Sequence, residues 1–261
     1  MSCIISLTTD FGTQDPFAGI IKAVALGISP NVRFVDLCHE VEPQNILQAS
    51  IMLGSSTLWF PRGSIHLAVV DPGVGGQRRA LAVQTEDYFY VAPDNGILSS
   101  VIDDNSKIYS LDRPEFFLKN ISNTFHGRDV FAPVCGWIAN GTPLDEMGAL
   151  ISDPVTLNIP RTIANDEGLA GEIISIDRFG NLQTNIRQQE IEKTFTSSGY
   201  IVRVDGENIA GPFSYYEEAE PGVCACLINS ASVLEVFCKQ GNAGKNLQLK
   251  PGTPVTLSKI H

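Results

Sequence analysis

Apolar positions set the rhythm of the first half of the chain. Residues 3–7 form an apolar run that reads as a strand and ends on Thr8-Thr9-Asp10-Phe11-Gly12. Phe17, Ile20, Val24 and Ile28 then recur at helical spacing. Residues 32–37 read as a second strand, ending near Cys38-His39-Glu40. Pro43 marks the start of a helix, because proline is tolerated in a first turn, and Ile46, Ala49 and Leu53 share one face. Residues 67–70 are a short apolar run rich in β-branched residues, read as a buried strand that ends on Asp71. Pro72 with Gly73, Gly75 and Gly76 forces a tight turn there, ahead of Arg78 and Arg79. Residues 80–84 and 88–91 pair as a hairpin around Glu86-Asp87, and the second strand runs into the turn signal Ala92-Pro93-Asp94-Asn95-Gly96. After a strand at 107–111, Val130, Val134 and Trp137 carry a helix that follows His126-Gly127-Arg128-Asp129.

The pattern changes over residues 154–168, where prolines and charges replace the apolar period, so this segment reads as a linker. Beyond it short strands dominate, at 172–176, 182–186, 200–204, 225–228, 233–237 and 255–260, with a weak helical patch at 188–194. Strand–helix alternation followed by short strands predicts two domains. Residues 1–160 form a three-layer α/β domain with a mostly parallel sheet, and residues 168–261 an all-β, barrel-like domain.

Composition narrows the function. A net charge of −11 argues against nucleic acid or an anionic membrane as partner, and suits a cationic ligand. No apolar run approaches the ~20 residues that span a bilayer. The first residues lack the basic and apolar segments of a secretory signal, so a cytoplasmic location is expected. Six cysteines without a CxxC pair read as reduced, small apolar residues; Cys224 and Cys226 share a strand face but are too few to make a metal site. Four histidines, His39, His66, His126 and His261, show no metal-ligand spacing, so no metal is expected.

Candidate chemistry gathers at strand ends. Ligands of open α/β sheets bind beyond the carboxyl ends of the strands, where Asp71, its glycine turn and Arg78 fall. The same residues also fit a strand-end aspartate that caps a turn and pairs with a surface arginine. His126 lies in a polar loop before a helix rather than on an apolar face. Asp10-Phe11-Gly12 echoes the kinase metal-binding triplet and His126-Gly127-Arg128-Asp129 the kinase catalytic loop, but in reversed order and without the kinase glycine loop and lysine. The Asp71 turn lacks the Gly-Lys-Ser/Thr of a phosphate loop. Asp177-Arg178-Phe179-Gly180-Asn181 fits a hairpin turn, and equally an aromatic platform with an amide that would suit a purine.

Taken in order, Thr8-Thr-Asp-Phe-Gly, Val70-Asp-Pro-Gly-Val-Gly, Ala92-Pro-Asp-Asn-Gly, Thr124-Phe-His-Gly-Arg-Asp, Asp177-Arg-Phe-Gly-Asn and Asn229-Ser resemble the S-adenosylmethionine (SAM) hydrolases. These are also called SAM hydroxide adenosyltransferases and are relatives of fluorinase and chlorinase. The resemblance spans nearly the whole chain. It implies a hydrolase acting on the carbon–sulfur bond of SAM, releasing adenosine and L-methionine, with SAM as substrate and no cofactor. It implies a homotrimer whose sites join the N-terminal domain of one subunit to the C-terminal domain of the next. By resemblance, Asp71, Arg78 and His126 position the water, and Asp10 holds the ribose hydroxyls. Phe179, Asn181 and the backbone near Ala243 match adenine contacts, while Asp177 and Ser230 match contacts to the methionine end. Gln44 replaces a tryptophan of fluorinase, and Ala231 replaces its arginine. Halide-dependent cleavage of SAM is one alternative activity. A protein that binds SAM or adenosine without turnover is another.

Overall fold

The structure, a computed structural model, describes residues 3–196 and 199–260. The chain folds as two compact units, Met1–Ile159 and Pro160–His261. The first is built on a sheet of seven strands: β1 (Ile4–Thr9), β2 (Arg33–Cys38), β3 (Ile65–Val69), β4 (Ala80–Gln84), β5 (Phe89–Pro93), β6 (Lys107–Leu111) and β7 (Gly148–Ile151). Their order is β2-β1-β3-β5-β4-β6-β7. The first four strands run parallel, and β4, β6 and β7 join antiparallel.

Period-2 alternation splits the β3 side chains between two cores. Leu67 and Val69 pack with α1 (Phe17–Ile28) and the later helix α3 (Ala132–Ala139). Ala68 and Val70 pack with Ala49 and Leu53 of α2 (Ile46–Ser56) on the opposite face. Every residue of β3 is buried, as expected of a sheet covered on both sides. Each fully buried leucine or isoleucine here stabilises by about 1.5–3 kcal/mol. The result is the expected helix–sheet–helix layering. A short helix, α4 (Leu144–Met147), leads into β7.

One helix start differs from expectation. Gln44 has φ +67°, outside the helical region, so Pro43 cannot open α2. The helix begins at Ile46 instead, capped by the Asn45 side chain, which accepts from Gln48 N at 3.0 Å.

The second unit is all-β in its frame. Its strands are β8 (Ile163–Asn165), β9 (Gly168–Ile176), β10 (Leu182–Arg187), β11 (Tyr200–Val204), β12 (Glu207–Phe213), β13 (Cys224–Ile228), β14 (Val233–Cys238) and β15 (Pro254–Lys259). Seven of them follow the order β10-β14-β13-β12-β11-β15-β9, and β9 pairs back onto β10 to close a barrel. β8 is an appendage on β9. Two helices, α5 (Gln188–Thr194) and α6 (Ala243–Leu247), decorate it. Leu182, Ile186, Val202, Val236 and Leu257 fill the barrel core. All six cysteines are free, and Cys224 lies opposite Cys238 on neighbouring strands.

Candidate active site

The site in the first unit follows from sheet order. β1 and β3 are parallel neighbours with Thr9 opposite Val69, so the residues just beyond them, Asp10 and Asp71, emerge side by side at the strands' carboxyl ends. Both line one cavity of about 280 Å³, together with Phe11, Gln44, Phe125 and His126. A second cavity of the same volume lies in the other unit, between α5 and the barrel, and holds none of the candidate residues.

Asp71 is held from several sides. The Asn95 side chain donates to the Val70 carbonyl at 2.9 Å, and Arg79 binds Asp94 at 2.7 Å. The Ala92-Pro-Asp-Asn-Gly turn therefore braces the strand end on which Asp71 sits. Val74 N donates to Asp71 O and Gly76 N to Gly73 O, closing the glycine turn. That turn brings Arg78 back onto Asp71. Arg78 Nε lies 3.0 Å from each carboxylate oxygen, and Nη2 also binds Oδ2. The side chains are only 5% exposed for Asp71 and 11% for Arg78, so this is a partly desolvated pair rather than a surface one.

Arg78 reaches one group further. Its Nη2 lies 3.0 Å from His126 Nδ1, and its guanidinium stacks over the buried Phe131 ring, 5.2 Å to the centroid. A guanidinium only donates. His126 Nδ1 must therefore accept, and the neutral ring carries its proton on Nε2. Burial, then the Arg78 charge, pushes the His126 pKa below its ordinary value, against smaller opposing pulls from Asp71, Asp129 and the Ser122 backbone.

The His126 loop has its own scaffold. Gly127–Phe131 winds as a π-helical turn, in which Ala132 N reaches back to Gly127 O before α3 begins. The loop lies against the glycine turn at Gly75, where an added Cβ would come within 2.0 Å of Asn123 O. Phe125 packs edge-to-face with Phe11 and Phe17, forming an aromatic wall. Asp10 is positioned by Gln44, whose backbone N donates to Asp10 Oδ2 at 2.9 Å. The unusual backbone of Gln44 thus serves the cavity. Its only sequence signal was its stand-in for a tryptophan.

The second unit gathers the remaining candidates. Asp177 Oδ1 accepts from Phe179 N and Asn181 N, both at 2.9 Å, and Oδ2 accepts from Asn181 Nδ2 at 3.2 Å. Phe179 is thereby left 76% exposed at the tip of the turn. Gly180 O accepts from Gly244 N, which places the turn on the start of α6 at the buried Ala243. Phe179, Asn181 and Ala243 are therefore neighbours. Ser230 is exposed in the turn after β13, shaped by Asn229 Oδ1 accepting from Ala231 N at 2.9 Å.

A buried carboxylate, Glu235, supports that turn by accepting from Asn229 Nδ2 at 2.9 Å and Tyr216 OH at 2.8 Å. Burial, then Glu235 and the nearby Asp177, pushes the Tyr216 hydroxyl up to about 12. Sequence reasoning missed Glu235, though a lone glutamate inside the run Val-Leu-Glu-Val-Phe-Cys was its signal.

Of the other histidines, His261 lies outside the described residues, and His66 and His39 have separate roles. His66 is fully buried on Ser6 and among Phe60, Tyr88 and Tyr90, and burial pushes its pKa down to about 4. His39 bonds Thr9 Oγ1 at 2.8 Å. Among the described residues no group of three or more His, Cys, Asp or Glu side chains is placed to hold a metal ion. Among the same residues, no helix is long and apolar enough to cross a membrane.

Two family models match the sequence in order. The SAM hydroxide adenosyltransferase N-terminal domain covers residues 5–148, and the corresponding C-terminal domain covers 171–256. The chain belongs to the SAM hydroxide adenosyltransferase family. Within this family's reach, it is 35% identical over 258 residues to the (R)-S-adenosyl-L-methionine hydrolase of Thermus thermophilus, covering 95% of this chain and 97% of that protein. A solved structure of an uncharacterized conserved protein from Thermotoga maritima superposes with a TM-score of 0.89 at 34% identity, covering 97% of this chain and 99% of that one. The fluorinase of Nocardia brasiliensis is a more distant relative, 24% identical over 287 residues, with 97% of this chain and 95% of that protein covered.

Proposed function

We propose that this protein hydrolyses S-adenosyl-L-methionine to adenosine and L-methionine. The observation that carries this reading is that Asp71 and His126, bridged by Arg78, line one cavity with Asp10. Asp10 takes the ribose hydroxyls. The adenine falls to Phe179, Asn181 and the Ala243 backbone, and the methionine end to Asp177 and Ser230. The reading includes the family's homotrimer, with each site shared between subunits, and a cytoplasmic location.

The leaving group is a neutral thioether, so its departure needs no general acid. The water oxygen forms a bond to C5′, the C5′–S bond breaks with its electron pair going to sulfur, and one proton is released. The difficulty lies in a weak nucleophile that must attack in line. Holding water and C5′ at near-attack distance supplies up to about 7–11 kcal/mol. Arg78 occupies both Asp71 oxygens, so Asp71 serves chiefly as an oriented acceptor for that water. His126 can donate from Nε2, since Nδ1 already accepts from Arg78.

Water fits better than halide here. A carboxylate on the cavity wall repels an anion, while it orients a water. The reading takes SAM as substrate and calls for no cofactor or metal. Incubating chelator-treated protein with SAM, with and without halide, should give adenosine and methionine in both cases. Halo-adenosine as product, or no turnover, would overturn the reading. The relatives' names specify the R form, so both sulfonium epimers belong in the assay.

A further inference from the structure

Asp129 is fully buried, yet the hydrolytic steps above give it no part. Its side chain gathers four donors. Oδ2 accepts from Ser122 N at 2.8 Å, from Ser122 Oγ at 2.7 Å and from Arg128 Nη2 at 3.0 Å, while Oδ1 accepts from Arg128 Nε. Burial alone would raise its pKa, but these hydrogen bonds outweigh it and hold the carboxyl below its usual range.

The main chain of Asp129 clamps the same loop. Its N–H donates to Phe125 O at 3.1 Å. Its carbonyl would be the helical acceptor for residue 133, but Pro133 has no N–H, and Leu118 N takes the place at 2.8 Å. Ser122 Oγ, held by Asp129, accepts from Phe125 N at 3.1 Å. Residues 118, 122 and 125 are thus all tied to one residue. His126 is the next in the chain.

We infer that Asp129 is a positioning residue: through Ser122 and Phe125 it fixes the His126 ring against Arg78, with Nδ1 as acceptor. This rests on the reading that His126 serves the nucleophile. An ion pair with Arg128 for stability alone would not need burial, since taking a carboxylate out of water is costly and such pairs often add little. The carboxylate is buried where the Ser122 and Phe125 backbone must be held.

The test reads the histidine ring directly. ¹⁵N-histidine NMR of the full chain distinguishes the two neutral tautomers, with the His126 signals assigned from a His126→Gln spectrum. In the natural protein His126 should show the Nε2–H form. In Asp129→Asn and in Ser122→Ala it should become a mixture of tautomers. kcat for SAM should fall at least tenfold, with KM within about threefold. Ser122→Ala keeps the Asp129–Arg128 pair, so it decides the matter should Asp129→Asn not fold. A folded variant whose His126 signals match those of the natural protein would overturn the inference, whatever its melting temperature. Failure of the functional reading looks different: the natural protein would then release no adenosine from SAM, or, if only the role of His126 fails, His126→Ala would turn over SAM undiminished, while the NMR comparison still reports whether Asp129 sets the ring.

Discussion

Arg78 can only donate hydrogen bonds, and this fixes which nitrogen of His126 carries the proton. It faces an aspartate on one side and a histidine nitrogen on the other, so His126 works as a neutral ring. Asp71→Ala and His126→Ala should each lower kcat by about 10²-fold or more, the usual worth of a positioned acid–base group, and leave KM for SAM within a few-fold. Steady-state kinetics on the two variants checks this; near-normal kcat in either removes that residue from the mechanism. The pH dependence follows from the same contact. A lowered pKa keeps His126 neutral to lower pH, so kcat/KM should hold steady through neutrality. It should fall on the acid side with a midpoint below 6.5, the ordinary histidine value. An acid limb centred above that value would contradict the Arg78 contact. At this scale strand-end and loop position singled out Asp71, Arg78 and His126 as candidates, and family resemblance alone gave them a shared role. Spacing could not show that arginine stands between aspartate and histidine, because their approach depends on two loops meeting in space.

Those loops meet at one glycine. Gly75 has φ +75°, and its missing side chain admits the Asn123 carbonyl. Gly75→Ala should part the glycine turn from the His126 loop. The expected result is a loss of kcat of more than tenfold and a stability loss of about 1–3 kcal/mol from backbone strain. Gly63→Ala is the control, for Gly63 has φ +83° but open space around it. It should lose stability yet keep turnover. Kinetics and denaturant unfolding of both variants separate the two effects, and equal turnover would show that the loop contact is unimportant. Most strands of both units were legible, because β-branched apolar runs bounded by turns say strand whatever their neighbours. β12 was missed, since Gly211 and Pro212 within it read as a loop. β7 and β8 are four and three residues long, too short to show a period. The helix start at Pro43 failed because the left-handed backbone of Gln44 serves Asp10, a tertiary demand that no local pattern carries.

For the molecule as a whole, the change from helical spacing to short strands announced two architectures. It could not announce closure of the barrel, which rests on one pairing, β9 with β10, between strands that look like the others. The net charge of −11 also gains a sense, because SAM carries a sulfonium and an ammonium against one carboxylate. The proposed trimer makes a whole-assembly prediction. Asp71→Ala and Asp177→Ala lesions lie in different units of the chain. Co-expressed, the two chains should form mixed trimers in which some sites draw an intact Asp71 from one subunit and an intact Asp177 from another, since a cyclic trimer is head-to-tail. Activity above both parents is expected. Mixed trimers, shown by mass, with no such gain would exclude shared sites and leave the chemistry untouched. That chemistry is tested most directly by turnover of SAM in H₂¹⁸O. Attack of water on C5′ predicts one ¹⁸O in the 5′-hydroxyl of adenosine and none in methionine. Unlabelled adenosine, or label in an amino-acid product, would contradict it.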